Sequence, residues 1–184
     1  MPYHHGDLRR TLLLAARESL RTTPAADLSI RELARRVGVS ANAPYRHFAD
    51  RDALLAALVV LGYETVADAL GERVGEGARA VGEVWSAFEG TDPELAALMT
   101  DPGVAANPTV AEAAERWFRN VVTAVEGELP AASPERVIGR AIGCWAAVQG
   151  LERLRRTGAL AGLEDLLPSP RRVAVRAVRG EIPR

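Results

Sequence analysis

The sequence predicts an all-α chain, with a small three-helix module at the N-terminus and a larger helical body behind it. Three observations predict this. Apolar residues recur at helical spacing along almost the whole chain, and the Val/Ile/Thr alternation of strands is absent. Three capping residues stand directly before a proline, the preferred first helical residue: Asp92-Pro93, Asn107-Pro108 and Ser133-Pro134.

From Asp7 to about Arg21, residues Leu8, Leu12, Leu13, Ala16 and Leu20 share one helical face, and Thr22-Thr23-Pro24 ends the run. Ser29 and Glu32 have capping-box spacing and start a short helix through Val37. Gly38 is free to adopt positive φ for a tight turn, and Ser40 is placed to cap a helix over about 41–47. Pro44 lies early in that helix, where it costs less than the ~3 kcal/mol of a mid-helix proline and fixes the shape of the helix start. Asp50 caps a long helix from Arg51 into the low seventies, with Leu54, Leu55, Leu58, Val59, Leu61 and Val66 on its broad apolar face. The glycine-rich stretch 71–82 predicts a hinge or a fraying helix, after which Val84, Trp85 and Phe88 open a second apolar system. The capped prolines then place helices near 93–100, 108–128 and 134–157, and a further short helix is expected within 170–180. The natural division is a module over 1–50 and a body over 51–184, with 51–72 as the connecting helix.

With 184 residues, 48% hydrophobic and 26% charged, the chain suffices for one large or two small cores. No stretch approaches the ~18–20 uninterrupted apolar residues of a membrane span, and Met1–Arg10 lacks the apolar run of a secretory leader, so a soluble cytoplasmic protein is expected. A single cysteine, Cys144, excludes an internal disulfide and a multi-thiolate zinc site. All 23 basic residues are arginine, which reads as genome composition rather than chemistry. Net charge is −1, but it is unevenly placed: the chain up to Asp52 carries an excess of three positive charges and the remainder an excess of four negative ones. A modest basic module on an acidic body is the consequence.

Residues 30–45 meet the packing demands of a helix-turn-helix. Leu33 and Val37 face inward, Ala34 is small where two helices cross, Gly38 turns the chain and Val39 plugs the space beneath. The second helix then exposes Asn42, Tyr45, Arg46 and His47, side chains that hydrogen-bond bases and phosphates. An ordinary helix pair shares part of this pattern.

Leu28-Ser-Ile-Arg-Glu-Leu-Ala-Arg-Arg-Val-Gly-Val-Ser40, Ala43-Pro-Tyr-Arg-His-Phe48 and Asp50-Arg-Asp-Ala-Leu-Leu55 together resemble the N-terminal domain of the tetracycline-repressor (TetR-like) family of bacterial transcriptional regulators, over roughly residues 7–60. Tyr3-His-His-Gly-Asp-Leu-Arg9 and Trp145-Ala-Ala-Val-Gln-Gly150 are similar to a subgroup with a Trp-x-x-x-His-Gly signature, here with Gln149 in place of His. The resemblance implies a homodimer on a double-stranded DNA operator, with recognition helices in successive major grooves and a C-terminal pocket for a small-molecule effector that controls them. It assigns phosphate contacts to Ser29, Tyr45, His47 and Arg51, the last standing where the family usually has Lys, and base readout to Ser40, Ala41, Asn42 and Arg46. The implied function is a ligand-responsive regulator, a repressor released by its effector. The alternative is a helical ligand-binding or dimerisation protein whose helix-turn-helix is vestigial.

No phosphate loop, Cys/His pair or zinc motif suggests an enzyme, and no metal or cofactor is expected. His4-His5 suits a mobile arm better than a metal site, and Cys144 reads as a small buried hydrophobe. Residues 137–151 are apolar or glycine apart from Arg140 and Gln149, which predicts a helix buried on all sides. Gly139, Gly143, Ala147 and Gly150 form one small-residue face, whose interior glycines each forfeit roughly 1 kcal/mol unless a close partner helix offsets it. That face is expected to meet its copy in a two-fold dimer; packing on its own domain is the other reading. Ile138, Ile142, Trp145 and Gln149 share the next face, expected to line an effector pocket with Trp85, Phe88, Leu98, Met99, Trp117, Phe118 and Val121. Such a lining suits an uncharged or weakly polar ligand, and a solid core is its alternative.

Overall fold

A computed structural model describes residues 8–159 and residue 161, and every regular element among them is a helix. There are eight α-helices: α1 (Leu8–Ser19), α2 (Ile30–Val37), α3 (Arg51–Gly71), α4 (Ala78–Thr91), α5 (Pro93–Met99), α6 (Pro102–Ala105), α7 (Pro108–Glu126) and α8 (Pro134–Arg156). Single 3-10 turns lie at Ala25–Asp27, Pro44–Arg46 and Val74–Glu76. The all-α expectation holds. His4-His5 and the helix expected within 170–180 lie outside the described residues.

Helices start at all three capped prolines, yet the caps differ. Asn107 Oδ1 accepts from Thr109 N at 3.1 Å, whereas neither Asp92 nor Ser133 makes a side-chain cap. A fourth signal of the same kind, Asp101-Pro102, starts α6, where Asp101 Oδ1 accepts from Gly103 N at 2.8 Å.

The chain divides into two compact units. One holds the residues up to Glu64 together with Glu89–Ala114; the other holds Thr65–Phe88 together with the chain from Glu115. In the first, α1 packs against α2 and the Pro44–Arg46 turn, burying Leu12, Leu13, Ala16, Leu33, Ala34 and Phe48. Arg9 lies over the Phe48 ring, 5.6 Å from its centroid. The segment Glu89–Ala114 joins this module through polar contacts that sequence spacing does not show. Asp92, buried to 1% side-chain exposure, takes Arg17 in a two-point pair at 2.6 and 3.1 Å, and Arg21 Nε lies 3.7 Å away. Nearby, Ala25 N donates to Glu94 Oε1 at 2.7 Å. Asp92 does not cap α5 because its carboxylate is committed to these arginines.

The first fourteen residues of α3 belong to this unit and the rest to the other. It is apolar enough by composition to cross a membrane, but Leu54, Leu55, Leu58, Val59, Val66 and Leu70 are buried within the protein, which makes it a core helix. Tyr63 OH donates to Met99 O at 2.7 Å, and burial pushes its phenol up to about 12.

In the second unit the glycine-rich stretch is more ordered than its composition predicts. Arg73 bridges Glu76 and Glu83, Arg79 pairs with both, and Ala78 N donates to Glu128 Oε1 at 2.9 Å. The charged side chains between the glycines supply partners that a glycine count ignores. Gly77 has φ +73°, and a side chain there would run into Glu128.

Removing the Asp92 carboxylate takes a buried acceptor from Arg17 and Arg21. Asp92→Ala is expected to destabilise the first unit by about 3 kcal/mol, at the low end for a buried pair because Arg17 keeps some access to water, as read by urea unfolding. For Tyr63, a raised phenol means that folding favours the protonated form, so its contribution is present below the ordinary value of 10.0 and is lost as pH rises through about 12. Tyr63→Phe should flatten the loss of stability across that window while costing about 0.5–1.5 kcal/mol at neutral pH.

Candidate functional site

The helix-turn-helix is built from three local devices. Ser29 Oγ accepts from Glu32 N at 3.4 Å and caps α2, as its spacing predicts. Gly38 closes α2 in the left-handed conformation, φ +80° and ψ 30°, with its N–H on the Ala34 and Arg35 carbonyls, and Val39 N reaches Ala34 O at 3.0 Å. A residue with a Cβ would be strained there.

The second helix departs from expectation. Instead of a regular helix over 41–47, the chain makes a turn and then a single 3-10 turn, Pro44–Arg46. Ala43 N bonds to Ser40 O, Arg46 N to Ala43 O and His47 N to Pro44 O, at 3.0, 3.3 and 2.9 Å. Pro44 has no N–H to return to Ser40, so the α-helical ladder has no first rung and the tighter i+3 pattern takes over. Proline here decides the helix type as well as its start.

Ser29, Ser40, Ala41, Asn42, Tyr45, Arg46 and His47 are all exposed, Tyr45 at 44%. Ser29, Tyr45 and Arg51 come together around one surface depression of about 410 Å³, with Leu28, Ile30, Arg31, Ala49 and Asp50 completing its lining. The depression sits at the start of α2, where the first backbone amides of the helix lack intrahelical acceptors and favour an anion. Arg31 was not singled out from sequence; its place in the first turn of α2, two residues after the cap, is the signal that could have found it. The Asp50 carboxylate caps α3 through Ala53 N at 2.8 Å. Arg51 is partly committed, since one guanidinium nitrogen donates to Ala25 O while its buried Nε has no partner. On the outer face of α2 the Arg35 guanidinium holds the Glu32 carboxyl below its ordinary value, and Arg36 donates to Ser19 Oγ at 3.0 Å.

The residues expected to bind a ligand separate into groups. Trp85, Trp117 and Trp145 converge in the second unit, with ring centroids 4.6 Å (Trp85 to Trp145), 5.4 Å (Trp117 to Trp145) and 6.0 Å (Trp85 to Trp117) apart. Phe88 lies 6.1 Å from Trp85. Val121 is fully buried one turn beyond Trp117, and Phe118 is half-buried. Trp117 Nε1 and Gln149 Nε2 are both buried without a hydrogen-bond partner, a cost of about 1–3 kcal/mol for each such donor. Met99 is buried in the other unit, where its carbonyl serves Tyr63. Ile142, at 55% exposure, and Ile138, at 46%, face outward.

Within one chain, α8 is therefore not buried on all sides. Val137, Ala141, Cys144, Val148 and Glu152 form its inward face, while Gly139, Ile142, Gly143 and Gly150 are exposed. A Cβ at Gly139, Gly143 or Gly150 would meet nothing within 4 Å. The apolar composition of a helix does not say whether its own chain supplies every neighbour. Glu152 is matched by Ser86 Oγ at 3.0 Å and Arg155 Nη1 at 3.0 Å. Burial pushes the Cys144 thiol up to about 11, so it stays protonated as an inert packing residue. Among the described residues no cluster of His, Cys, Asp or Glu has the makings of a metal site.

Residues 12–58 match the family profile of bacterial regulatory proteins of the tetR family. A solved structure of a protein with unknown function from Rhodococcus sp. RHA1 is 33% identical, with 98% of this chain and 96% of that one covered and a TM-score of 0.75. The multidrug binding protein EbrR, solved with imidazole, is 20% identical over 100% of this chain and 95% of its own, with a TM-score of 0.64. A TetR transcriptional regulator from Legionella pneumophila is 15% identical over 96% and 99%, with a TM-score of 0.63. No curated protein matches.

Proposed function

The chain belongs to the tetR family of bacterial regulatory proteins, and from that premise we propose that it is a repressor that binds an inverted-repeat operator as a homodimer and is released by a small molecule. It is a DNA-binding regulator rather than an enzyme. The observation that carries the operator reading is the single depression shared by Ser29, Tyr45, Arg51 and the amide end of α2. A backbone phosphate seated there would meet a hydroxyl, a phenol, a guanidinium and free N–H groups. Asn42 and Arg46 stand exposed on the adjoining turn, so phosphate anchoring at the depression, extended by His47, would bring them to base edges, with Ser40 and Ala41 beside them. Such a protein works in the cytoplasm.

The dimer reading rests on α8. A helix that exposes Ile138, Ile142 and Leu154 (44%) beside glycines with open space above them is poorly served by water. A second copy of the same helix, related by a two-fold axis, would cover the apolar side chains and use the space over Gly139, Gly143, Ala147 and Gly150. Two recognition turns would then face half-sites about one helical turn apart, roughly 34–36 Å.

Tyr45→Ala should weaken binding by a similar factor on every DNA sequence, roughly fivefold for one lost phosphate contact. Asn42→Ala should instead change preference among operator variants by ~1–3 kcal/mol per lost base contact. Fluorescence anisotropy on a panel of duplexes reads both, and unchanged affinity of Tyr45→Ala for the best site would overturn the anchor. Gly143→Leu is expected to convert the dimer to a folded monomer in light scattering; a dimer that survives it closes elsewhere.

A further inference from the structure

We propose that the tryptophan cluster of the second unit receives an uncharged planar molecule bearing a hydrogen-bond acceptor, with Trp145 moving aside and Trp117 Nε1 and Gln149 Nε2 donating to that acceptor. This deepens the effector reading above and rests on it.

Two donors of the cluster stand without acceptors. Trp117 Nε1 and Gln149 Nε2 are donors, both buried and both without partners. Other buried polar groups among the described residues of this unit are matched: Glu152 holds Ser86 and Arg155, and Asn120 donates to Ala67 O at 2.7 Å. Two neutral donors are matched by a neutral acceptor without burying a net charge. A neutral acceptor satisfies what the cluster lacks.

Shape points to a flat molecule. The rings of Trp85 and Trp117 are each 1% exposed, and Trp145 meets both edge-on, at 85° and 65°. Their spacing leaves no slot for another ring, which needs about 3.5 Å on each face. One ring must give way. Trp145 is the half-buried member and the one that meets both others edge-on, while Trp85 and Trp117 are almost inaccessible, so it is the movable wall. Gln149 lies one helical turn beyond it on α8, and a helical side chain leans toward the preceding turn, over the site Trp145 vacates.

Four probes of matched size separate the possibilities: coumarin (neutral, with a carbonyl acceptor), naphthalene (neutral, without one), 2-naphthoate and N-methylquinolinium. The chain has three tryptophans, so a nitrogen-15 spectrum resolves each indole N–H. Coumarin should bind roughly tenfold more tightly than the other three, the increment of one hydrogen bond to an otherwise unpaired donor, and move the Trp117 indole N–H downfield. Gln149→Leu should remove several-fold of that advantage, and Trp145→Ala should raise coumarin affinity by opening the site in advance. Circular dichroism confirms that each variant is folded. If naphthalene equals coumarin, or either ion binds more tightly, the ligand class is wrong while the cluster remains an effector site. If no probe at millimolar concentration disturbs any indole, the cluster is solid core and the proposal fails, whatever the protein does on DNA. If coumarin binds as described but leaves operator affinity unchanged, the site stands and the effector reading is what falls.

Discussion

The first unit depends on one buried carboxylate. Asp92 is almost inaccessible, and a carboxylate in that position is tolerable only if cations neutralise it. Arg17 in the last turn of α1 and Arg21 just beyond that helix do so, Arg17 across 75 residues of chain. The pair fixes α5 against the helix that supports the helix-turn-helix, and Glu94 repeats the connection at Ala25 N. Arg51, at the start of α3, closes on the carbonyl of the same Ala25. A module of about fifty residues has little core of its own; here its rim is tied down by polar contacts that a change in Asp92 would release together.

Against that support, the outer surface of the helix-turn-helix takes its shape from two backbone constraints. Gly38 supplies a left-handed turn that brings the chain back across α2, and Pro44 denies the following segment a regular helical ladder. The outcome is a short, tightly wound segment with Phe48 anchored beneath it and Tyr45, Arg46 and His47 left outside. Anchoring is apolar and display is polar, which is how a surface keeps its form while its contact residues stay free for a partner.

The second unit shows the opposite economy. Its interior is aromatic and closely packed, yet it retains two donors with nothing to donate to. Folded proteins rarely leave such groups unsatisfied. Meanwhile α8 presents isoleucine and glycine to the outside. Both features are poor solutions for an isolated chain, and both fit the ligand and the second copy proposed above.

Helix periods, Ser29 as a cap, Gly38 as a turn and the starts at Pro93, Pro108 and Pro134 were all legible in the sequence, because each depends on residues within one or two turns of one another. Ser29, Tyr45 and Arg51, which the fold gathers around one depression, were singled out in the sequence because they belong to one short stretch of motif. Tertiary structure alone decided where polar side chains found partners: that Asp92 would serve Arg17 instead of capping α5, that Glu128 would cap Ala78, and that Ile142 would face away from the tryptophans while Met99 joined another unit. It also decided that the stretch after α3 is ordered by ion pairs despite its glycines. Periodicity records only that a face is apolar and that a residue is able to cap or pair. Which surface covers the face, and which charge the residue meets, is settled by chain segments far away in sequence, through burial that no local pattern encodes.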